Sequence, residues 1–175
     1  MFFGIIEIPT IIKEDFPMSE NYDMNKARSV YNSLINMLNT RDWKYQPDDE
    51  NMLIRSGIKG EDLPIEFVMI VNPRNEVVQF LSGLPFKMPE DMRVDGALAV
   101  AVANYGLVDG SFDYDLNDGE IRFRLTCSYR DSVLGADLFE YMIGAAASTV
   151  ENYNDRFFML AKKMITIEKF IEMES

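Results

Sequence analysis

Histidine is absent from the sequence, and it is the side chain that most often transfers protons in enzyme active sites. Its absence removes the usual catalytic triads and dyads, together with imidazole metal sites. A zinc site would then need several thiolates, but the chain has one cysteine, Cys127. Cys127 falls on the inward side of a predicted strand, where burial is expected rather than nucleophilic chemistry. We therefore expect no enzyme and no catalytic residue.

Glycine-rich loops that bind phosphate, of the GxGxxG or GKS/T kind, are also missing. The acidic residues at 113–118 fail the EF-hand pattern, because a glycine stands at the seventh position from Asp113 and Arg124 at the twelfth. The acidic run at 48–50 is typical of a solvated turn. We expect neither a cofactor nor a metal.

Basic residues are scarce, since 17 lysines and arginines face 29 aspartates and glutamates, for a net charge of −12. Such a chain repels phosphate backbones and anionic lipids, so nucleic acid and membranes are disfavoured as partners. No apolar run approaches the roughly 20 residues that cross a bilayer. A lone cysteine cannot form an internal disulfide, which fits a reducing compartment. We expect a cytoplasmic protein.

Residues 1–22 show no clear period, although apolar residues crowd near the start. The segment is unlike a signal peptide because it has no basic start, carries Glu7 and is broken by Pro9. We interpret it as a leader arm or edge segment that either lies against the body or packs on a partner subunit. Residues 23–175 then form a single domain, since 47% apolar residues suffice for a core.

Apolar residues at three- and four-residue steps predict helices, and alternating ones predict strands. The predicted elements are helix 23–41 with Asp23 as N-cap, a short strand near 43–45, a short strand or an irregular segment near 52–58, strands 65–71 and 76–81, helix 94–105, strands 111–116 and 121–127, and helix 139–164. Tight turns make the sheet antiparallel, with helices mainly on one face. The fold class is α+β, with about five strands in the order α-β-β-β-α-β-β-α. The last helix would be about 40 Å long, so a kink or projecting end is expected near 152–155.

The hairpin at 65–81 is apolar on both faces. A four-residue turn at 72–75 pairs Phe67 with Phe80 on one face. The other face presents Val68, Ile70, Val77 and Leu81. That face must be covered by another element or must bind a partner, and we predict these four residues as a partner-binding site.

The later hairpin combines an apolar face with a charged one. A two-residue type I′ loop at 118–119 places Asp113 opposite Arg124 and Asp115 opposite Arg122. Each cross-strand pair is worth roughly 0.2 to 1 kcal/mol. The charged face therefore supports this register.

The helix at 94–105 is apolar nearly all round. Its main stripe, expected to face the core, consists of Val94, Ala97, Leu98, Ala101, Val102 and Tyr105. The opposite side presents Ala99, Val100 and Ala103, so the helix should be buried on both sides. Either a second subunit or the rest of this chain would cover it.

The stretch ALAVAVANYGLVDGSFDYDLNDGEIRFR at 97–124, preceded by FVMIVNPRNEVVQF at 67–80 and followed by a long helix, resembles the YbjN-like family of bacterial proteins. That family is similar in fold to the type III secretion chaperones, acidic dimers that hold an extended effector segment. The resemblance covers residues 23–165 and carries no catalytic residues. It implies a regulator of sensory transduction and a homodimer whose interface lies near the helix between the hairpins, with Ala99, Val100 and Ala103 as the predicted interface residues.

These observations favour a non-catalytic protein-binding or chaperone-like regulatory module that captures an extended segment of a partner protein. The alternative is a sensor domain that binds a small apolar ligand between the sheet and the long helix, where methionine and aromatic side chains are plentiful.

Overall fold

The computed structural model describes residues 22–132 and 134–174, which form four α-helices and a six-stranded antiparallel sheet. The elements are α1 (Met24–Thr40), β1 (Tyr45–Asp48), β2 (Leu53–Lys59), β3 (Pro64–Asn72), β4 (Val77–Lys87), α2 (Arg93–Tyr105), β5 (Ser111–Tyr114), β6 (Glu120–Ser128), α3 (Ala136–Ala161) and α4 (Ile167–Met173). The spatial strand order is β1-β2-β3-β4-β6-β5. The α+β class is confirmed, with six strands rather than about five and with four strands before α2. Apart from Tyr22, the predicted leader lies outside the described residues.

Helix α1 begins where its capping residue predicts. The Asp23 carboxylate accepts hydrogen bonds from the backbone N–H groups of Asn25 and Lys26 at 2.9 and 3.1 Å. The apolar stripe of the helix is buried, as expected from its spacing, at Ala27, Val30, Tyr31, Leu34, Met37 and Leu38. Helix α1 thereby forms part of the core on one face of the sheet.

The hairpin of β3 and β4 keeps its predicted faces but not its predicted register. Met69, rather than Phe67, pairs with Phe80. The Asn72 side chain accepts backbone hydrogen bonds from Arg74 and Asn75 at 3.0 and 3.1 Å, which moves the turn one position along the chain. Because the shift amounts to two residues, every side chain stays on its face. The rings of Phe67 and Phe80 still stack, with centroids 4.6 Å apart.

The β5–β6 hairpin also differs from its predicted register by two residues, since Tyr114 pairs with Ile121. The loop is longer than a two-residue turn. The Asp115 carboxylate accepts the backbone N–H of Asn117 at 2.7 Å, and the Gly119 N–H donates to the Asp115 carbonyl at 2.8 Å. Gly119 has φ +78°, which favours glycine. The predicted pairing of Asp115 with a strand arginine is wrong because its side chain holds the loop instead.

Asp113 is the charged centre of this hairpin. Its carboxylate accepts hydrogen bonds from Arg122 at 3.0 Å and from Arg124 at 2.9 Å. Burial alone would raise the pKa of the Asp113 carboxyl, but these hydrogen bonds outweigh it and hold the pKa below its usual range. The predicted Asp113–Arg124 ion pair is therefore present, and Arg122 joins it.

Helix α3 is a continuous helix of 26 residues that includes 152–155, where a kink or projecting end is expected from the sequence. The chain reverses after Ala161 instead, at Lys163 with φ +58°. Helix α4 then folds back, and Phe170 is buried against Phe157 with ring centroids 5.3 Å apart. The reversal keeps the final segment against the domain.

Replacing Asp113 tests the ion-pair cluster. Asp113→Asn should lower the free energy of unfolding at pH 7 by about 1 to 2 kcal/mol, a value kept small because Arg124 is 40% exposed. A carboxyl with a lowered folded pKa stabilises the fold above its unfolded pKa of about 3.9 and loses this effect as the pH falls through the folded pKa. The difference between the two proteins should therefore shrink as the pH falls below about 4, as measured by urea unfolding from pH 7 to pH 2. Asp115→Asn is the control, and an equal loss in that variant would contradict the role of Asp113.

Asn154 on α3 is 2% exposed, and both polar atoms of its side chain lack a hydrogen-bond partner. A buried polar group without a partner costs about 1 to 3 kcal/mol. Asn154→Leu should therefore raise the free energy of unfolding by about 1 kcal/mol or more, measured by urea unfolding. Asn152→Leu, on the exposed side of the same helix, controls for helix propensity and should change stability little. A less stable Asn154→Leu protein would show that the amide is satisfied in solution.

Candidate functional site

The sheet has an apolar patch on the face opposite the helices. The patch consists of Leu53, Val68, Ile70 and Leu81, which pack together as a cluster separate from the main core. Three of the four predicted partner-binding residues thus meet there. Val77, the fourth, is half-buried at the start of β4 and lies outside the cluster.

Antiparallel pairing brings the patch together. Leu53 pairs with Ile70 between β2 and β3, and Val68 pairs with Leu81 between β3 and β4. Directly paired residues share a face, so the four side chains form one continuous surface. Leu53 was not predicted as a patch residue because 52–58 shows no clear alternation of apolar and polar residues. Its antiparallel pairing with Ile70 is what places it in the patch.

The patch is bordered by charge on one side. Leu81 pairs with Arg124 of β6, which belongs to the cluster formed with Asp113 and Arg122. The same sheet face therefore has the apolar patch on β2–β4, with Arg55 and Gln79 paired beside Val68 and Ile70, and is charged over β6 and β5. Such a surface suits a segment that has both apolar and polar side chains.

The patch residues on β2 and β3 are almost fully buried, with exposures of 2% for Leu53, 3% for Val68 and 8% for Ile70. Within the described part of the chain, no helix contributes a residue to this cluster. The helices instead share the main core with the other sheet face. Burial on this face therefore does not come from the helical layer.

Helix α2 is oriented opposite to the sequence-based expectation. Ala99, Val100 and Ala103, predicted at a dimer interface, are 0%, 6% and 0% exposed and belong to the core of the chain. The expected core stripe points outward instead, with Val94 71% and Tyr105 95% exposed. The three buried residues therefore have almost no surface to offer a second subunit.

Two contacts to β5 set this orientation. The Asn104 side chain accepts the backbone N–H of Phe112 at 2.7 Å and donates to the Phe112 carbonyl at 2.9 Å. Gly96 allows close approach, because a Cβ there would lie 2.6 Å from the Tyr114 hydroxyl oxygen. Small residues consequently face the sheet, and larger apolar residues stay outside.

The outward side of α2 borders a groove of about 550 Å³. Its lining includes Leu98, Val102 and Tyr105 of α2 together with Ile171 of α4. This exposed apolar surface was missed because a helix that is apolar nearly all round does not show from its period which side faces the core.

Titratable groups show little that resembles a reactive centre. Burial raises the pKa of the Cys127 thiol, which keeps it protonated and weakens it as a nucleophile. Burial also raises the pKa of the Asp155 carboxyl, helped by a hydrogen bond with Asp62 and by repulsion from Glu151. Across residues 22–132 and 134–174, no group of three histidine, cysteine, aspartate or glutamate side chains is placed to hold a metal ion.

The methionine and aromatic side chains between the sheet and α3, which suggested a ligand site, are part of the core. Phe139, Met142 and Phe157 are each 0% exposed. Among the described helices, none has both the length and the apolar character needed to span a bilayer.

Comparison with known proteins identifies relatives of this fold. A chain of the HopA1–SchA chaperone–effector complex matches with a TM-score of 0.51 and 10% identity, over 77% of this chain and 99% of that one. YbjN from E. coli matches with a TM-score of 0.53 and 9% identity, over 72% and 92%. A chain of the ExsC–ExsE complex matches with a TM-score of 0.52 and 12% identity, over 72% and 91%. At such identities the likeness shows the fold alone.

No curated protein matches the chain significantly in sequence. The model of the YbjN family, described as "Putative bacterial sensory transduction regulator", matches residues 32–159, which is more than half of the chain. The chain belongs to the YbjN family.

Proposed function

We propose that the protein is a non-catalytic, chaperone-like regulatory module that captures an extended segment of a partner protein on the sheet face opposite the helices. The observation that carries the proposal is the patch of Leu53, Val68, Ile70 and Leu81, an apolar surface outside the helical core. None of the described helices contributes a residue to this cluster. The structural neighbours with chaperone–effector partners support the same class of function.

The geometry of the patch suits an extended chain. Alternate side chains of a strand point to the same side, about 7 Å apart, so several of them could meet the rows of the sheet. Apolar side chains would lie on Val68 and Leu81, and polar ones would reach Arg124 and Asp113 beyond. Affinity would come from the apolar contacts, and the ion-pair cluster would add orientation.

The partner-binding proposal is tested best at Leu81, which is half-buried and so tolerates substitution better than Val68. Leu81→Glu should abolish co-purification of the partner with the tagged full-length protein from its native cytoplasm, while the melting temperature stays within a few degrees. The readout is the mass and stoichiometry of the co-purifying chain.

Thr126→Glu is the matched control, since Thr126 lies on the same sheet face in an exposed position and outside the patch. It should retain the partner. Retention by Leu81→Glu, or loss by both variants, would contradict a binding role for the patch.

We further propose that the protein acts as a cytoplasmic homodimer and that the outward side of α2 forms the interface. Val94, Leu98 and Tyr105 are 71%, 49% and 95% exposed, which is unusual for apolar side chains this close together on one helix. This replaces Ala99, Val100 and Ala103 as interface residues while keeping the interface at the same helix.

Light scattering tests the dimer. Leu98→Asp should shift the mass at micromolar concentration from dimer to monomer, because it places a charge in an apolar interface. Leu116→Asp, at an apolar residue that is 60% exposed in the β5–β6 loop, should leave the mass unchanged. A monomeric unsubstituted protein would contradict the proposal, as would a Leu98→Asp protein that stays dimeric.

A further inference from the structure

The apolar patch is buried although none of the described helices packs on it. Val68 is 3% and Leu53 is 2% exposed, whereas Thr126, two strands away from β3 on the same sheet face, is exposed. The Arg124 side chain on that face is also 40% exposed. A bare sheet face would leave all of these side chains partly accessible. The burial is therefore local to β2 and β3, where Arg55 and Gln79 pair with Val68 and Ile70, and the helical layer does not supply it.

The start of α1 lies beside the end of the sheet nearest the patch. The Arg28 guanidinium donates to the Asp49 carbonyl in the β1–β2 turn at 2.6 Å. The Lys26 ammonium lies 3.5 Å from the Glu76 carboxylate in the β3–β4 turn. Leu53 begins β2 and Ile70 lies near the end of β3, so both are close to these turns. Helix α1 therefore begins near the turns that border the patch.

Residues 1–21 precede this point and have the length and chemistry to cover the patch. Extended, 21 residues span at most about 70 Å, while the three strands of the patch span about 10 Å. The segment is rich in large apolar residues, namely Phe2, Phe3, Ile5, Ile6, Ile8, Ile11 and Ile12. These side chains are more stable against an apolar surface than in contact with water.

We propose that residues 1–21 of the same chain lie on the patch when no partner is bound. One consequence of this proposal rests on the proposed function. A partner segment that binds the patch must displace the chain's own N-terminal segment. A bound partner would then release an apolar N-terminal segment, which couples capture to a change elsewhere on the protein. The N-terminal segment of a second copy is the other possible occupant, and the second experiment below distinguishes the two.

Thiol accessibility in the full-length protein tests the contact. In a Cys127→Ser background, Val68→Cys should react slowly with a soluble disulfide reagent. Adding Ile5→Ser, Ile6→Ser and Ile8→Ser should speed the reaction about tenfold or more, because the weakened cover opens more often. Thr126→Cys is the matched control on the same face and should react fast with either N-terminal sequence. A thiol at position 68 that reacts fast from the start, or one that stays protected after the serine substitutions, would overturn the proposal.

A second measurement needs no change at the patch or in the N-terminal segment. In full-length protein with labelled methyl groups, cross-relaxation should connect isoleucine methyls of residues 1–21 with those of Val68 and Leu81, and not with those of Ile54 on the opposite face. A mixture of two differently labelled samples shows whether the contact lies within one chain. Contacts between chains, or none at all, would overturn the proposal. Neither experiment uses a partner, so a failed partner capture and a failed contact are separate results.

Discussion

The central strand β3 is apolar on both faces, and the rest of the structure depends on this constraint. Phe67 and Met69 face the helical layer, while Val68 and Ile70 face away from it. In an antiparallel strand, the side chains usually alternate between a buried face and a solvent-exposed face. Here both sides are buried, yet the described helices cover only one of them. The proposals for partner capture and for the N-terminal segment both start from this second buried face.

The helical layer covers its own side of the sheet with a large apolar core. Helices α1 and α3 bury their apolar stripes against β3 and β4, and α4 folds back to add Phe170 to the core. With that side filled by side chains, the space between sheet and helices serves as a core rather than as a ligand site. The two proposed recognition surfaces, the patch and the outward side of α2, lie outside this core.

These two surfaces lie on different elements and have different physical characters. The patch joins apolar residues to an ion-pair cluster around Asp113, which suits a segment of mixed chemistry. The side of α2 that contains Leu98 and Tyr105 is apolar and borders a groove against α4, which suits a second copy. A net charge of −12 adds a general preference for partners that are not acidic. The surface proposed for a partner segment and the surface proposed for a second copy therefore do not overlap.

Much of the fold follows from periodicity and from the chemistry of single residues. The spacing in α1 and the carboxylate of Asp23 determine that helix and its start, and alternation determines which side chains share a face of each hairpin. The predicted registers are wrong by two residues because the side chains of Asn72 and Asp115 accept backbone hydrogen bonds in the turns. The alternation of apolar residues along the strands does not show these hydrogen bonds.

The patch was predicted in part because apolarity on both faces is visible in the residues themselves. The orientation of α2 was not predicted. In a helix that is apolar nearly all round, the apolar pattern does not show which side faces the core. Contacts distant in sequence decided it, namely the hydrogen bonds of Asn104 to β5 and the close approach at Gly96. The sequence by itself thus determined the elements and their faces, whereas the tertiary structure decided which apolar face became core, because that choice depends on which neighbour fits closely.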